Sequence, residues 1–469
     1  MELIDQFLEF EEKYNLLQKK IDGYYYWRHH RFQIYQEIQE KKTHNASADL
    51  VLPKVTVKDR AVRLMNKFVI GKRKNPLLFK GRCDVLVLNH ERRMYIDGLY
   101  RPIYFESILK DVKNFMILEP PNMLQQHYSP ISYERETYYT DLMEGMVTLY
   151  CKTHTYENKL LREELDKIFI ELANYLSVNF DVEKLKSYIL RSAWEYPMRK
   201  KYYEKILNKC KPKVILEVVS YNRDQMIVNE LAKKQGIPTL ELQHGTMGRY
   251  HIAYNYSGKK DFPQFPDKVL LFSKYWKNVT RLPQKDENIL VTGYPYMEEM
   301  VRKYKTNKKP KKNTILFISQ KPIGRDLSKF AVALLDKLKR EKEEYRIIYK
   351  LHPAECPSWE EDLPELYTMR NEIEVISDSS VGIYQLFSES TIQIGVYSTA
   401  IFEGLAFGLK TYILDAPGKE YMQDLYQKGY AQLVNNPKQI KADYHENEKL
   451  EFWESDAKNK IADCISKVF

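Results

Sequence analysis

Three short segments carry residues able to move protons or hold phosphate. The first is Glu241-Leu-Gln-His-Gly-Thr246, which puts His244 and Gly245 directly after the strand-like run Thr239-Leu-Glu-Leu242. An imidazole gives or takes a proton near neutral pH, and a glycine beside it admits close approach of a ligand. Upstream, Lys213 to Ser220 reads as a buried strand and Asp224 to Gln235 as a helix ended by Gly236-Ile-Pro238, so His244 falls at the carboxyl end of a parallel strand. Loops leaving such ends form the ligand crevice of α/β proteins.

The second segment is Arg346-Ile-Ile-Tyr-Lys-Leu351 followed by His352 and Pro353, with Lys350 and Glu355 alongside. Proline fixes its own φ and restricts the residue before it, which holds the His352 ring at a strand end. The third is the strand Thr391 to Tyr397, then Ser398, Thr399 and a helix over Ala400 to Phe407. Either Ser398 or Thr399 would cap that helix, whose free N–H groups make a phosphate site. Glu403, one turn in, is expected to face the same ligand and bind ribose hydroxyls.

In this order the motifs resemble those of the GT-B glycosyltransferase superfamily, in particular bacterial surface-polysaccharide enzymes: capsule and lipopolysaccharide transferases for sialic or Kdo-type sugars, and CDP-glycerol glycerophosphotransferases. Those families pair a His-Gly in the first domain with a His-Pro, and a Ser/Thr with a downstream Glu, in the second. His244-Gly245, His352-Pro353, Ser398-Thr399 and Glu403 match over roughly the second half of the chain. Where the sialyltransferases carry two acids and a glycine, this chain has Ile96-Asp97-Gly98, so the resemblance leaves His244 and Asp97 as competing bases. It implies a metal-independent transferase without a cofactor, taking a nucleotide-activated sugar, with CMP or CDP carriers favoured. A lipid-linked or oligosaccharide acceptor would receive the sugar in a growing capsule, lipopolysaccharide or teichoic-type polymer. The alternatives are polyol-phosphate transfer, nucleotide-sugar epimerisation, and a non-catalytic subunit of a capsule assembly complex.

A chain of 469 residues exceeds one core and calls for two large domains with extensions. The fold class expected is α/β, two Rossmann-like domains facing a central cleft. Residues 1–83 form a helical N-terminal extension, with Leu3, Phe7, Phe10, Tyr14, Leu17 and Ile21 as its first apolar stripe and a break at Gly23. The cluster from Tyr24 to His30 reads as a packing seam or an acceptor contact. Residues 84–300 form the acceptor domain, where His90, Arg92, Arg93 and Asp97 follow the first strand. A lysine-rich hinge spans 301–312, and the nucleotide domain 313–450 opens with a crevice loop carrying Lys321 and Arg325. Residues 451–469 form a helix that packs back on the first domain, as the resemblance implies.

The net charge of +10 is concentrated. Residues 54–82 hold ten Lys/Arg against Asp59, and 302–312 hold seven and no acid, so the rest of the chain is net acidic. No nucleic-acid motif accompanies these patches, which argues for an anionic membrane surface. Ala61, Val62, Leu64, Met65, Phe68 and Val69 fall at the spacing of an interfacial helix or of a domain-capping one. Five cysteines without paired spacing, and an N terminus without a leader pattern, point to a cytoplasmic protein, peripheral on the inner face of the membrane.

Overall fold

The computed structural model describes residues 2–43, 65, 67–90, 93–121, 126–306, 313–378, 381–441 and 451–468. Arg92, residues 54–64 and 66 of the basic segment 54–82, and the second half of the lysine-rich run, 307–312, lie outside these residues.

Two parallel sheets organise the chain. The first has seven strands in the order Thr137–Tyr139, Phe115–Glu119, Val85–Leu88, Val214–Glu217, Thr239–Leu242, Lys268–Leu271 and Ile289–Val291. The second has six, in the order Ile373–Ile376, Arg346–Lys350, Thr314–Ile318, Ile392–Gly395, Lys410–Leu414 and Gln432–Val434. Every neighbouring pair within these two sheets is parallel. Helices cover both faces, which is why the central strands are near-continuous apolar runs such as Val-Leu-Val-Leu and Thr-Ile-Leu-Phe-Ile, buried at every position. Each sheet reverses its winding between its first and fourth strand, a switch point that leaves a crevice at the carboxyl ends. With two such units, the architecture is α/β, two Rossmann-like domains.

Buried carboxylates break the apolar pattern of the first sheet: Glu119, Glu217 and Glu241. Glu217 and Glu241 are register partners on adjacent strands and are fully buried. Asn229 donates to Glu217 at 2.8 Å, whereas Glu241 accepts the Ser220 N–H and hydroxyl and the Tyr254 hydroxyl. Burial raises both carboxyls above the usual range.

The N-terminal helices Leu3–Lys13 and Tyr26–Thr43 are part of the first lobe rather than an appendage. Arg31 forms a buried ion pair with Glu11 at 2.7 Å and donates to the carbonyls of Ile252 and Asn255. Tyr24, Tyr26 and Trp27 are buried, so the aromatic cluster is a packing seam. At the other end, Ile461 and Ile465 of the helix Ala457–Ser466 sit in the same core as Val85, Phe105, Ile108 and Val214 of the first sheet. Of the lysine-rich run, residues up to 306 continue the helix Pro295–Thr306, because nothing in Tyr-Met-Glu-Glu-Met-Val-Arg-Lys opposes helix formation. Of the basic segment, Phe68 packs over Gly145 while Met65 and Val69 remain exposed. No helix among the described residues is long and apolar enough to cross a membrane.

Candidate active site

The carboxyl ends of the two sheets meet at a cleft of about 530 Å³. From the first lobe its walls take Thr246, Tyr250 and His251, and from the helix Tyr26–Thr43 they take Tyr35, Gln36, Gln39 and Glu40. From the second lobe come Gln320 and Pro322, after the first strand, and Tyr397, after the fourth. Gln320 and Tyr397 therefore stand on the two sides of the second sheet's switch point. Gly418, Glu420 and Tyr421 close the rim. Gly418 has φ +96°, and an added Cβ would stand 2.2 Å from the Tyr397 ring, so only glycine fits there.

The loop carrying His244 is fixed on both sides. Tyr104 donates its hydroxyl to the His244 carbonyl at 2.8 Å, and the Thr246 N–H donates to Thr399 Oγ1 at 3.1 Å. The second bond joins the first lobe to the start of the helix Thr399–Ala406. Ser398 is the cap of that helix, its Oγ accepting the Ala400 N–H at 3.2 Å, which releases Thr399 to reach across. A Cβ on Gly245 would meet Thr399 Oγ1 at 3.4 Å, an ordinary contact, so close approach there comes from the other lobe.

A second histidine escaped the sequence reading. His251 lies seven residues beyond His244, and both rings flank Tyr254, at centroid distances of 4.9 and 6.1 Å. Tyr221 neighbours both, and Phe32 stacks on His251 at 5.5 Å. Burial lowers His251 to about 4, so it is neutral at physiological pH. Its signal in the sequence was only its place in the same loop.

His352 is held by its own turn. Its Nδ1 accepts the Ala354 N–H at 3.1 Å, so the neutral ring carries its proton on Nε2. Its N–H donates to Glu355 at 2.7 Å, and Ser319 donates to the same carboxylate at 2.8 Å. Pro353 is exposed. Lys350 donates to the Asp378 carbonyl, and burial lowers its ammonium. Lys321 is partly buried near Glu355. The expected crevice loop is shorter than its sequence suggests: a 3-10 turn takes Lys321–Ile323 and a helix starts at Gly324, leaving Arg325 exposed on its first turn.

Several expected placements change. Glu403 is partly buried and does not wall the cleft; its charge is felt by Tyr294, Tyr296 and Tyr384. Burial raises its carboxyl to about 7, opposed by a hydrogen bond from Tyr384. Glu40 and Glu420 are the carboxylates that line the cleft instead. Arg93 is buried in an ion pair with Glu119 at 2.8 Å, which removes it from acceptor contact. Asp97 and Gly98, with φ of +50° and +82°, form the tight turn of the hairpin Met94–Ile96 and Leu99–Arg101. Asp-Gly is hairpin-turn chemistry, and the Asp97 side chain is 70% exposed with only a 3.4 Å pair to Arg101. It borders a separate hollow with Arg101, Tyr296 and Lys303 rather than the cleft. His90 is partly buried after the first strand. His244, Ser398, Thr399 and Lys321 lie within two residues of the cleft walls in sequence and do not themselves wall it, and His352 is neither among the walls nor next to one of them in sequence. Among the described residues no group of three or more His, Cys, Asp or Glu is arranged to hold a metal ion.

No family model and no curated protein matches this chain. Among solved structures it is similar to the UDP-GlcNAc 2-epimerase of Methanocaldococcus jannaschii, at 12% identity and TM-score 0.49, covering 82% of this chain and 99% of that one. The wall teichoic acid polymerase TagF is similar at 14% identity and TM-score 0.39, covering 89% and 93%. MurG of Acinetobacter baumannii is similar at 10% identity and TM-score 0.41, covering 82% and 99%.

Proposed function

We propose that the protein is a transferase that moves a sugar from a nucleotide-activated donor to a growing surface glycan. The observation that carries this reading is the place of the cleft: it opens at the switch point of the second sheet, where α/β proteins bind nucleotides, and the first lobe delivers a histidine-bearing loop to the same opening. Tyr397 and Tyr421 offer faces for a nucleobase, and Gln320 and Glu420 offer groups for ribose hydroxyls. Among the described residues the cleft walls hold Glu40 and Glu420 and no lysine or arginine. Donor phosphates would therefore be met at its edge, by the helix start at Ser398 and Thr399 and by the Nε2 proton of His352. Preorganised donors at that point would stabilise the charge developing on the leaving phosphate.

His244 would take the proton of the acceptor hydroxyl as general base, with neutral His251 beside it. A histidine suits this role because its unperturbed pKa lies near the working pH. Nucleotide-sugar epimerisation is a second reading, favoured by Glu403, a carboxyl that exchanges its proton near neutrality at the seam between the lobes.

The test is a thermal-shift screen of CMP, CDP, UDP and GDP, followed by product analysis with the matching nucleotide sugar. A nucleotide present at a hundred times its dissociation constant raises stability by about 2.7 kcal/mol. Transfer that requires an added acceptor supports the first reading, and an epimerised nucleotide sugar formed without one supports the second. No stabilisation by any nucleotide removes both.

A further inference from the structure

The large apolar side chains left in contact with solvent are not scattered. Among the described residues ten are exposed, and six of them, Met65, Val69, Met146, Leu149, Tyr156 and Leu160, lie in just two segments of the first lobe. Isolated exposed hydrophobics are ordinary, whereas a contiguous group marks a surface that meets something. These two segments are packed on each other. Residues 65 and 67–73 are helical, and this helix lies against the helix Asp141–Thr153. A Cβ on Gly71 would stand 2.6 Å from the Leu142 nitrogen, and one on Gly145 would stand 3.2 Å from the Phe68 ring. Phe68 therefore fills the crossing. Met65 and Val69 of one helix, and Met146 and Leu149 of the other, are left outside it at 49% to 58% exposure. Beyond them comes an aromatic cluster, in which Tyr156 stacks on Trp194 at 5.7 Å and Tyr150 lies 5.8 Å from the same ring. Rings with an apolar body and a polar tip settle at the boundary between water and hydrocarbon.

Charge identifies the partner. Residues 65–74 and 146–160 carry six Lys/Arg against one acid, Glu157. Lys72 and Arg73 stand one turn beyond Val69, and these two, Lys152 and Lys159 are all exposed. Among the described residues none of the four is paired with a carboxylate. A second copy of the chain suits this face badly, because a two-fold interface lays the same patch on itself and would set these cations against their own images. Anionic headgroups over a hydrocarbon interior match both parts of the face, its basic rim and its apolar centre.

We infer that this face of the first lobe rests on an anionic lipid bilayer, with Met65, Val69, Met146 and Leu149 entering the acyl boundary and Lys72, Arg73 and Lys152 among the headgroups. The docking does not depend on what the cleft binds, so it stands or falls apart from the proposed transfer.

Co-sedimentation of the full chain with vesicles of phosphatidylcholine, and with vesicles of an equimolar mixture of phosphatidylcholine and phosphatidylglycerol, tests this. The mixed vesicles should bind the chain at low ionic strength and hold it less tightly as salt rises. Met146→Ser with Leu149→Ser, and separately Lys72→Gln with Arg73→Gln, should each weaken that binding about tenfold. All four side chains are exposed, so both variants should keep the wild-type thermal melt. Ile170→Gln is the control, an exposed apolar residue about 15 Å beyond Leu160 along the helix Lys159–Leu176, and should bind as the wild type does. Brominated acyl chains in the mixed vesicles should quench part of the tryptophan emission, and Trp194→Phe should remove that part. No binding to the mixed vesicles, equal binding to phosphatidylcholine alone, or binding untouched by both pairs of substitutions would overturn the inference. So would a dimer in sedimentation velocity that the Met146 and Leu149 substitutions dissociate, since that result gives the face to a second copy.

Discussion

Glu355 accepts the backbone N–H of His352 at 2.7 Å, and the same carboxylate lies so close to Gly324 that an added Cβ there would stand 2.1 Å from its oxygen. One buried acid thus shapes both the His-Pro turn and the start of the helix after the first strand. Glu355→Ala strands the His352 N–H, while the Ser319 hydroxyl keeps its bond with the Tyr349 hydroxyl at 3.0 Å, and should cost about 1 to 3 kcal/mol of stability. It should also weaken nucleotide binding about tenfold, although Glu355 itself faces inward. Denaturant melts and titration calorimetry measure the two; unchanged nucleotide affinity in the folded variant would separate the turn from the donor site.

His244→Ala should keep donor affinity and lose transfer by about 10² to 10⁴-fold, the range for a positioned base. His251→Ala, which opens the cleft wall, should raise the apparent dissociation constant for the donor. Asp97→Asn should change neither, since the side chain serves an exposed turn. Steady-state kinetics of the three variants decides the assignment: loss of turnover in Asp97→Asn alone would return the base to Asp97.

Glu403 titrates at about 7 in the folded chain against about 4.5 for an unperturbed glutamate. Between those values the folded state holds a proton that the unfolded state has released, so stability falls as pH rises through this window and levels off above it. Glu403→Gln should therefore match the wild type at pH 4 and be more stable at pH 8. Urea midpoints at the two pH values check this, and an equal difference at both would mean that proton release is not the cause.

Gly418→Ala should force Tyr397 from its place and weaken nucleotide binding about tenfold. Gly429→Ala is the control: its φ of +77° imposes the same kind of backbone strain, yet nothing lies within 4 Å of the added Cβ. Both should lose about 1 to 2 kcal/mol of stability. If calorimetry finds the two variants equally impaired in binding, Tyr397 is not a wall that matters.

The parallel sheets were legible because strands buried on both faces are written as unbroken apolar runs, and Gly236 stood where the helix before Thr239 had to end. The strand-end position of His244 and His352 followed from the same pattern. Asp97 misled because Asp-Gly was weighed as chemistry, while its pairing of Met94 with Arg101 is a turn. His251 sits in a loop with no strand or proline to mark it. The cleft's tyrosines, Tyr35, Tyr250, Tyr397 and Tyr421, come from distant segments, and only the packed sheets show that they share a space.

The helix Ala457–Ser466 has one more consequence. It belongs to the core of the first lobe, and Glu298 on that lobe accepts the Asp456 and Ala457 N–H groups at 3.2 and 3.0 Å. The polypeptide therefore passes between the lobes twice, once before Thr314 and once after Val434. The second lobe is thus anchored to the first at both of its ends, and the Thr246–Thr399 hydrogen bond bridges the two lobes at the cleft.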